Sequence, residues 1–254
     1  MMWLSPRALR VWQRNRDVFF ALGKSEMPGL IIEPVLVLLS MGLGLGAYVG
    51  DIGGRDYMEF IAPGIIAAYG MFAATFECTY GSFVRLDYQK TFDAIISTPL
   101  GVGDIVTGEI LWGATRALLT TTTVLAMAAA FGLVHSPMAI LALPVGVLSG
   151  LMFASISLTF TAVAPGITTF NYFFTLFITP MFYFSGVFFP LSSFNETVRT
   201  LSWIAPLTPV ARLMRAVVEG KLEWRLIGSM AEIIGVTLVF FSLAQLLMKK
   251  RLFR

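Results

Sequence analysis

Long apolar runs separated by short polar connections dominate this chain. Six of them, residues 28–50, 59–82, 106–132, 138–163, 168–189 and 226–248, are long enough to cross the hydrocarbon layer, which takes roughly 20 helical residues for about 30 Å. The first holds an internal acid, Glu33, followed by Pro34, and the third is rich in alanine and threonine. The pattern predicts an all-α integral membrane protein with six transmembrane helices in a single transmembrane domain spanning 1–254.

Three segments outside the spans have a pattern of their own. In 1–25, Leu9, Trp12, Phe19 and Phe20 fall broadly on one side, with Arg7, Arg10 and Arg14 on another. That arrangement suits an interfacial amphipathic helix, and also a basic flank that only sets topology. In 85–97 and at the residue before it, Val84, Tyr88, Phe92 and Ile95 recur on one face, while Arg85, Gln89 and Asp93 fall on a second and Asp87, Lys90 and Thr91 on a third. A short helix ended by Pro99, Gly101 and Gly103 is expected, with Asp104 capping the next span. Its polar outer face suits a docking surface, or an interfacial helix with no partner. In 190–222, a stripe of Phe194, Val198, Leu201 and Ile204 precedes Pro206 and Pro209, and Val210, Leu213 and Val217 begin another. Two half-length helices fit a re-entrant hairpin in the outer leaflet, or an ordinary external amphipathic hairpin.

Composition supports the membrane reading: 57% of the 254 residues are hydrophobic and 13% charged, and mean hydropathy is +0.79. Charge then sets orientation. Arg7, Arg10, Arg14, Arg16 and Lys24 precede the first span, and Lys249, Lys250, Arg251 and Arg254 follow the last, which places both termini in the cytoplasm. The 85–97 helix falls on the same side. One connection argues against this: the external 190–225 segment carries Arg199, Arg212, Arg215, Lys221 and Arg225. No small-residue cleavage site follows the N-terminal cluster, so a cleaved signal peptide is not expected. The lone cysteine, Cys78, leaves no disulfide framework and reads as packing.

Enzymatic chemistry is poorly provided for. Gly23, Lys24 and Ser25 resemble the end of a phosphate loop, but Val18 stands where its first glycine is required. The single histidine, His135, excludes a histidine cluster for metal and reads as a solvated loop residue. Five charges lie inside spans: Glu33, Glu77, Glu109, Arg116 and Glu232. Each costs about 2.5–3.5 kcal/mol at a helix centre unless paired, and Glu77 and Arg116 sit at comparable depths, as a structural pair or a substrate contact. Gly42, Gly46 and Gly50 form a smooth ridge on the first span, suited to close helix packing within the chain or between two copies. No catalytic, metal or cofactor-binding residue is expected, and nothing suggests nucleic-acid binding. A membrane channel or lipid-modifying enzyme is the alternative class, though no carboxylate or histidine cluster at one interface supports an enzyme.

The basic N-terminus, the six spans, the helix after the second span, and SGVFFPLSSF followed by W..PLTP....R....G resemble the permease subunit of type-2 ABC exporters over essentially the whole chain. The segments ATFECTYGSF, DAIISTPLGVGDIVTGEILW and TPMFYFSGVFFP look most like the nodulation protein J and daunorubicin-permease branch. That resemblance implies a bacterial inner-membrane transport subunit with no catalytic site of its own. It would assemble as a homodimer with two copies of an ABC ATPase that binds ATP and Mg²⁺. The cargo implied is amphiphilic, such as a lipo-oligosaccharide, a lipid-linked glycan or a drug; nodulation-type members are associated with lipo-chitooligosaccharide export. It makes 85–97 the coupling helix, with Arg85, Asp87, Gln89, Lys90, Thr91 and Asp93 meeting the ATPase. It also sets the first span beside the fifth span of a second copy. Tyr172, Phe173, Phe177, Phe182 and Tyr183 are then candidates for the translocation pathway, or plain packing and lipid-facing aromatics.

Overall fold

The computed structural model describes residues 6–52 and 54–253, without the side chains of 22–31. Gly23, Lys24 and Ser25 belong to that stretch, so their side chains lie outside the described residues, as does Arg254. All regular structure among the described residues is helical. Helix α1 (Ala8–Leu39) continues through a π-helical segment (Ser40–Leu45) into α2 (Gly46–Val49). Helix α3 (Tyr57–Phe76) is prolonged by two π-helical segments, Glu77–Gly81 and Val84–Tyr88. After α4 (Thr91–Ile96) come α5 (Val102–Ala130), α6 (Ala142–Val163), and a broken run of α7 (Thr169–Phe173), a π turn (Phe174–Ile178) and α8 (Thr179–Phe184). The chain ends with α9 (Glu196–Ile204), α10 (Leu207–Glu219) and α11 (Leu226–Leu252).

Among the described residues, five helices are long and apolar enough to cross a membrane: Ile32–Val49, Tyr57–Tyr88, Val102–Ala130, Pro137–Val163 and Leu226–Leu252. These match the predicted spans one, two, three, four and six. The predicted fifth span, 168–189, differs. Its helix stops at Phe184 because Gly186 turns into the left-handed region (φ 79°). The segment that follows is irregular yet buried at Ser185, Val187 and Phe188.

Irregular backbone away from water needs partners for its polar groups. Arg215 of α10 supplies one, its Nη2 donating to the carbonyls of Gly186 (3.0 Å) and Phe60 (3.3 Å) while its guanidinium lies 4.1 Å from the Phe60 ring centre. Arg212 lies 3.8 Å over the ring of Trp203. Two of the basic residues that counted against an external 190–225 segment are therefore taken up inside the protein. Within 190–222 the chain forms two short helices, α9 and α10, with Asn195 capping α9 by accepting from the Val198 N–H (2.9 Å) and Gly220 closing α10 (φ 70°). Its halves differ: α10 buries Leu207, Val210, Leu213, Met214 and Val217 against α3, α6 and α11, whereas α9 leaves Leu201, Trp203 and Ile204 exposed.

The N-terminal reading needs correction. Among the described residues no break separates the interfacial helix expected within 1–25 from the first span expected at 28–50; α1 runs unbroken from Ala8 to Leu39. Its first turns bury Ala8, Val11, Asn15 and Phe19, a stripe at helical spacing, against α5. Gly108 of α5 makes the approach possible, since a Cβ there would come within 2.5 Å of the Val11 Cβ. Of the expected apolar side, Leu9 and Phe20 stay exposed, Phe19 is buried, and the Trp12 Nε1–H donates to Thr115 Oγ1 at 2.8 Å.

Two glycines of the first-span ridge are likewise used within the chain. Gly42 abuts Met58, so closely that a Cβ would lie 2.5 Å from its Cγ, and Gly46 faces Tyr57. Gly50 ends the helix at φ 67°, ψ −150°, a conformation essentially confined to glycine. Gly42 and Gly46 thus have partners within the chain, whereas Gly50 is exposed with nothing within 4 Å of an added Cβ; the exposed side of this span also carries Leu36, Leu43 and Tyr48.

Gly64 of α3 is where the irregular segment docks: an added Cβ would lie 2.7 Å from the carbonyl oxygen of Val187 and 2.8 Å from its Cα. Backbone cannot yield as a side-chain tip can, so Gly64→Ala is expected to destabilise the protein by roughly 1–3 kcal/mol. Gly44→Ala, with nothing within 4 Å of the new methyl, is the control. Thermal unfolding in detergent should show a lowered midpoint for the first variant only.

Candidate functional site

Three of the five charges inside the spans, Glu77, Glu109 and Arg116, converge on one place. Glu109 of α5 is 1% exposed in its side chain and accepts at both oxygens. Oε2 takes the Ser82 hydroxyl (2.6 Å) and Arg85 Nη2 (2.6 Å) and Nε (3.1 Å), and Oε1 takes the amide of Asn15 (2.8 Å). Arg85 Nη2 also donates to Glu77 Oε1 at 2.8 Å, and Glu77 Oε2 lies 3.5 Å from Arg116 Nε. The expected Glu77–Arg116 pairing is thus present, as half of a neutral quartet of two carboxylates and two guanidiniums. Arg116 in turn lies 4.4 Å over the ring of Phe19.

Local winding makes the quartet possible. Glu77 and Arg85 are eight residues apart, which in a regular α-helix leaves them about 80° apart around the axis. The π-helical Glu77–Gly81 segment absorbs an extra residue, so that the same interval closes in about two turns and both side chains meet. Gly81 leaves room for them; a Cβ there would sit 2.9 Å from Glu77 Oε1. Cys78, fully buried beside Gly113, fills the space behind, as its packing role required.

This geometry moves Arg85 out of the group in which the sequence pattern placed it. The predicted single helix over 85–97 is broken at Lys90, whose φ of 52° is the one positive value among the described non-glycine residues. Arg85 and Leu86 belong to the end of the second span, and Arg85 faces inward with 13% of its side chain exposed. Asp87, Gln89, Lys90 and Asp93 are exposed and Thr91 half-buried, while Phe92 is buried beneath them. Lys90 and Asp87 stand 4.0 Å apart. Asp104 serves the third span as expected in kind but from inside the helix: its Oδ2 accepts from the N–H of Gly101, the true cap, at 2.9 Å.

The N-terminal helix ties this exposed turn to the quartet. Arg14 Nη2 reaches Thr91 Oγ1 (3.5 Å), its Nη1 donates to Asn15 Oδ1 (2.9 Å), and Asn15 holds Glu109. Arg7 Nη1 donates to the carbonyl of Pro99 just beyond α4 (3.1 Å). Burial, with the neighbouring Arg85 charge, pushes the pKa of Arg14 below its ordinary value, and Glu109 opposes the shift. Asn15 and Ser82 were not singled out from sequence. A lone acid in the third span, requiring donors, was the available signal.

Two cavities flank the quartet and share Glu77 and Gly81. One, of ≈ 450 Å³, is lined by Glu33, Tyr69, Phe72, Phe76, Arg116 and Thr120 among others, with the Tyr69 hydroxyl donating to Glu33 (3.4 Å). The other, of ≈ 340 Å³, lies between Arg14, Asn15, Arg85 and Gln89. Glu232 is not part of this cluster; its charge acts on Arg212. His135 lies in its loop, exposed, 3.8 Å from Glu59.

The fifth-span aromatics divide. Phe182 meets Phe72, a wall residue of the larger cavity, edge-on at 5.1 Å, and the neighbouring Phe174 stacks on Phe76, another wall residue, at 4.4 Å. Phe173 instead stacks on Phe160 (4.5 Å) and Phe177 (5.5 Å) in a separate groove that Tyr172 also lines. Tyr183 is half exposed against Phe188.

Residues 10–218 match the family model described as ABC-2 type transporter. The chain belongs to that family. Among curated relatives it is 39% identical to nodulation protein J of Sinorhizobium fredii over 207 residues, covering 82% of this chain and 79% of the relative. It is 35% identical to nodulation protein J of Rhizobium leguminosarum bv. trifolii over 246 residues, covering 97% and 94%. A more distant relative is the inner membrane transport permease YadH of Escherichia coli, at 24% identity over 209 residues, covering 82% and 80%. The chain is therefore a membrane subunit of the ABC-2 transport type, and a non-catalytic role is consistent with a family of permeases.

A prediction follows for the N-terminal link. Asn15→Leu removes a donor from a buried carboxylate oxygen, a loss worth about 1–3 kcal/mol. The first turns of α1 should then detach from α5, and trypsin should cut at Arg10, Arg14 or Arg16 several-fold faster than in the parent protein. Gln13→Leu, on the partly exposed side, should leave the cleavage rate unchanged.

Proposed function

We propose that this chain is the permease of an ATP-driven exporter that moves an amphiphilic substrate outward with a separate ATPase subunit. The observation that carries this reading is the physical link from an exposed polar turn, through Arg14 and Asn15, to a buried charge quartet bordering an aromatic and charged cavity. Family membership supports the class of function. Nucleotide and Mg²⁺ belong to the partner; two copies of each subunit complete the transporter, in a bacterial inner membrane with both chain termini cytoplasmic.

In this reading Asp87, Gln89, Lys90, Thr91 and Asp93 meet the ATPase, and Phe92 anchors the turn to the permease body. Arg85 acts one step inward: movement of the turn is transmitted to Glu109 and Glu77 through Arg14, Asn15 and Arg85. The quartet stands between the Arg14 cavity and the larger one, and its rearrangement opens the way between them. Glu33, Tyr69 and Thr120 offer polar contacts to a substrate head, and Phe72 and Phe76, backed by Phe182, offer apolar surface to its tail. The thin fifth helix, Thr169–Phe184 with the irregular Ser185–Phe188 behind it, completes a sixth crossing, its backbone covered by α3 and α10. The α9–α10 hairpin enters the outer leaflet, and the Leu36, Leu43 and Tyr48 face of the first span is left for a second copy. Lipo-oligosaccharide, lipid-linked glycan and drug all fit this description of the cargo.

The double substitution Asp87→Lys with Lys90→Asp keeps an ion pair within the turn but inverts the pattern it presents. Reconstituted with its ATPase, that variant should insert normally and lose most export of a fluorescent amphiphile while ATP hydrolysis continues. Export at the parent rate would overturn the assigned coupling surface.

A further inference from the structure

Two cavities on the far side of the fifth-span aromatics meet at Val163. One, of ≈ 400 Å³, is formed by the end of α6 and the end of α11, where Leu247, Lys250 and Arg251 line it. The other, of ≈ 460 Å³, is apolar and runs between Ile156, Phe160, Phe173, Leu176, Phe177 and Phe240. Val163 and its neighbours therefore join a basic mouth to an apolar trough.

The dimensions and charges have a consistent sense. From Val163 to Ile156 along α6, and from Lys250 to Phe240 along α11, the trough rises about 10–15 Å at 1.5 Å per residue. That is the depth of an acyl chain in one leaflet, half of about 30 Å. At the mouth, Arg251 is fixed rather than free to swing: its Nη1 donates to the carbonyls of Thr161 and Ala164, each at 2.7 Å. Lys250 beside it is exposed, as is Lys249. Among the described residues no acidic side chain lines this mouth; Asp87, whose charge reaches Arg251, is not among its walls. Basic pockets between helices at the membrane surface recognise anionic lipid headgroups.

We propose that this groove holds one two-chain anionic phospholipid, its phosphate at Lys250 and Arg251 and an acyl chain in the trough beside Phe160, Phe173 and Phe177. The occupant is a resident lipid distinct from the exported cargo, whose cavity lies on the other face of the fifth helix. It fills the space between a short helix and α6, where a gap would otherwise leave aromatic faces unsupported. The proposal depends on the transport reading for nothing except which leaflet supplies the lipid.

The test uses the full chain in detergent, equilibrated with vesicles of equal parts phosphatidylglycerol and phosphatidylethanolamine and examined by native mass spectrometry. Retention of one phosphatidylglycerol is expected, with roughly tenfold preference over phosphatidylethanolamine. Lys250→Glu should abolish the preference, and Val163→Trp, at a position 56% exposed, should fill the trough and prevent retention of either lipid. Soluble glycerol phosphate should not displace the bound lipid. Equal retention of both lipids by the parent chain overturns the proposal, as does parental behaviour in either variant or displacement by glycerol phosphate alone.

Discussion

A carboxylate at 1% exposure in a chain that spans a membrane is tolerable only when every lone pair facing the protein is answered. Glu109 meets that condition with Arg85, Ser82 and Asn15, and each partner comes from a segment that must be held in place to provide it. Arg85 and Ser82 require the second span to continue past Phe76 in a widened winding. Asn15 requires the N-terminal helix to lie against the third span, which Gly108 permits. The position of the first, second and third spans near this end of the protein thus follows from satisfying one buried acid.

Neutrality of the quartet explains why it persists in a chain that is otherwise sparing of charge. Two guanidiniums and two carboxylates cancel, and Arg116 gains a further contact from the face of Phe19. Removing any one member leaves a largely buried charge short of its partner, so the four can change partners more easily than they can separate. A cluster of this kind suits two discrete arrangements better than gradual loosening, as the proposed coupling to a separate ATPase requires. Its connection to the exposed turn through Arg14 is short, and passes through side chains rather than through a long flexible loop.

Much of the architecture was legible in the sequence because apolar length is a strong signal: spans one, two, three, four and six appear where hydropathy put them. The Glu77–Arg116 pair was legible for the same reason, since internal charges need partners at matching depth. Arg85 was misplaced because a helical wheel assumes 3.6 residues per turn, and the π-helical winding at Glu77–Gly81 shifts every later residue around the axis. The break between an N-terminal helix and the first span was expected from the step in polarity along the chain, but the helix continues through it. The fifth span looked continuous by composition and is not, because one left-handed glycine, Gly186, ends it, and the resulting irregular backbone is held by Arg215 from far along the chain. Spacing within one helix does not specify the partner of the glycine ridge: within the chain Gly42 meets Met58 and Gly46 faces Tyr57, while Gly50 meets nothing.

The most direct measurement is a double-mutant cycle on Arg85 and Glu109, reading unfolding of the purified protein in detergent. Arg85→Gln and Glu109→Gln should each cost about 3–5 kcal/mol, because each leaves the opposite charge buried and short of its partner. The double variant should be little worse than either single one, a coupling of at least about 2 kcal/mol. Losses that simply add would contradict the central role of this pair and leave the arrangement of the first three spans to be explained by apolar packing alone.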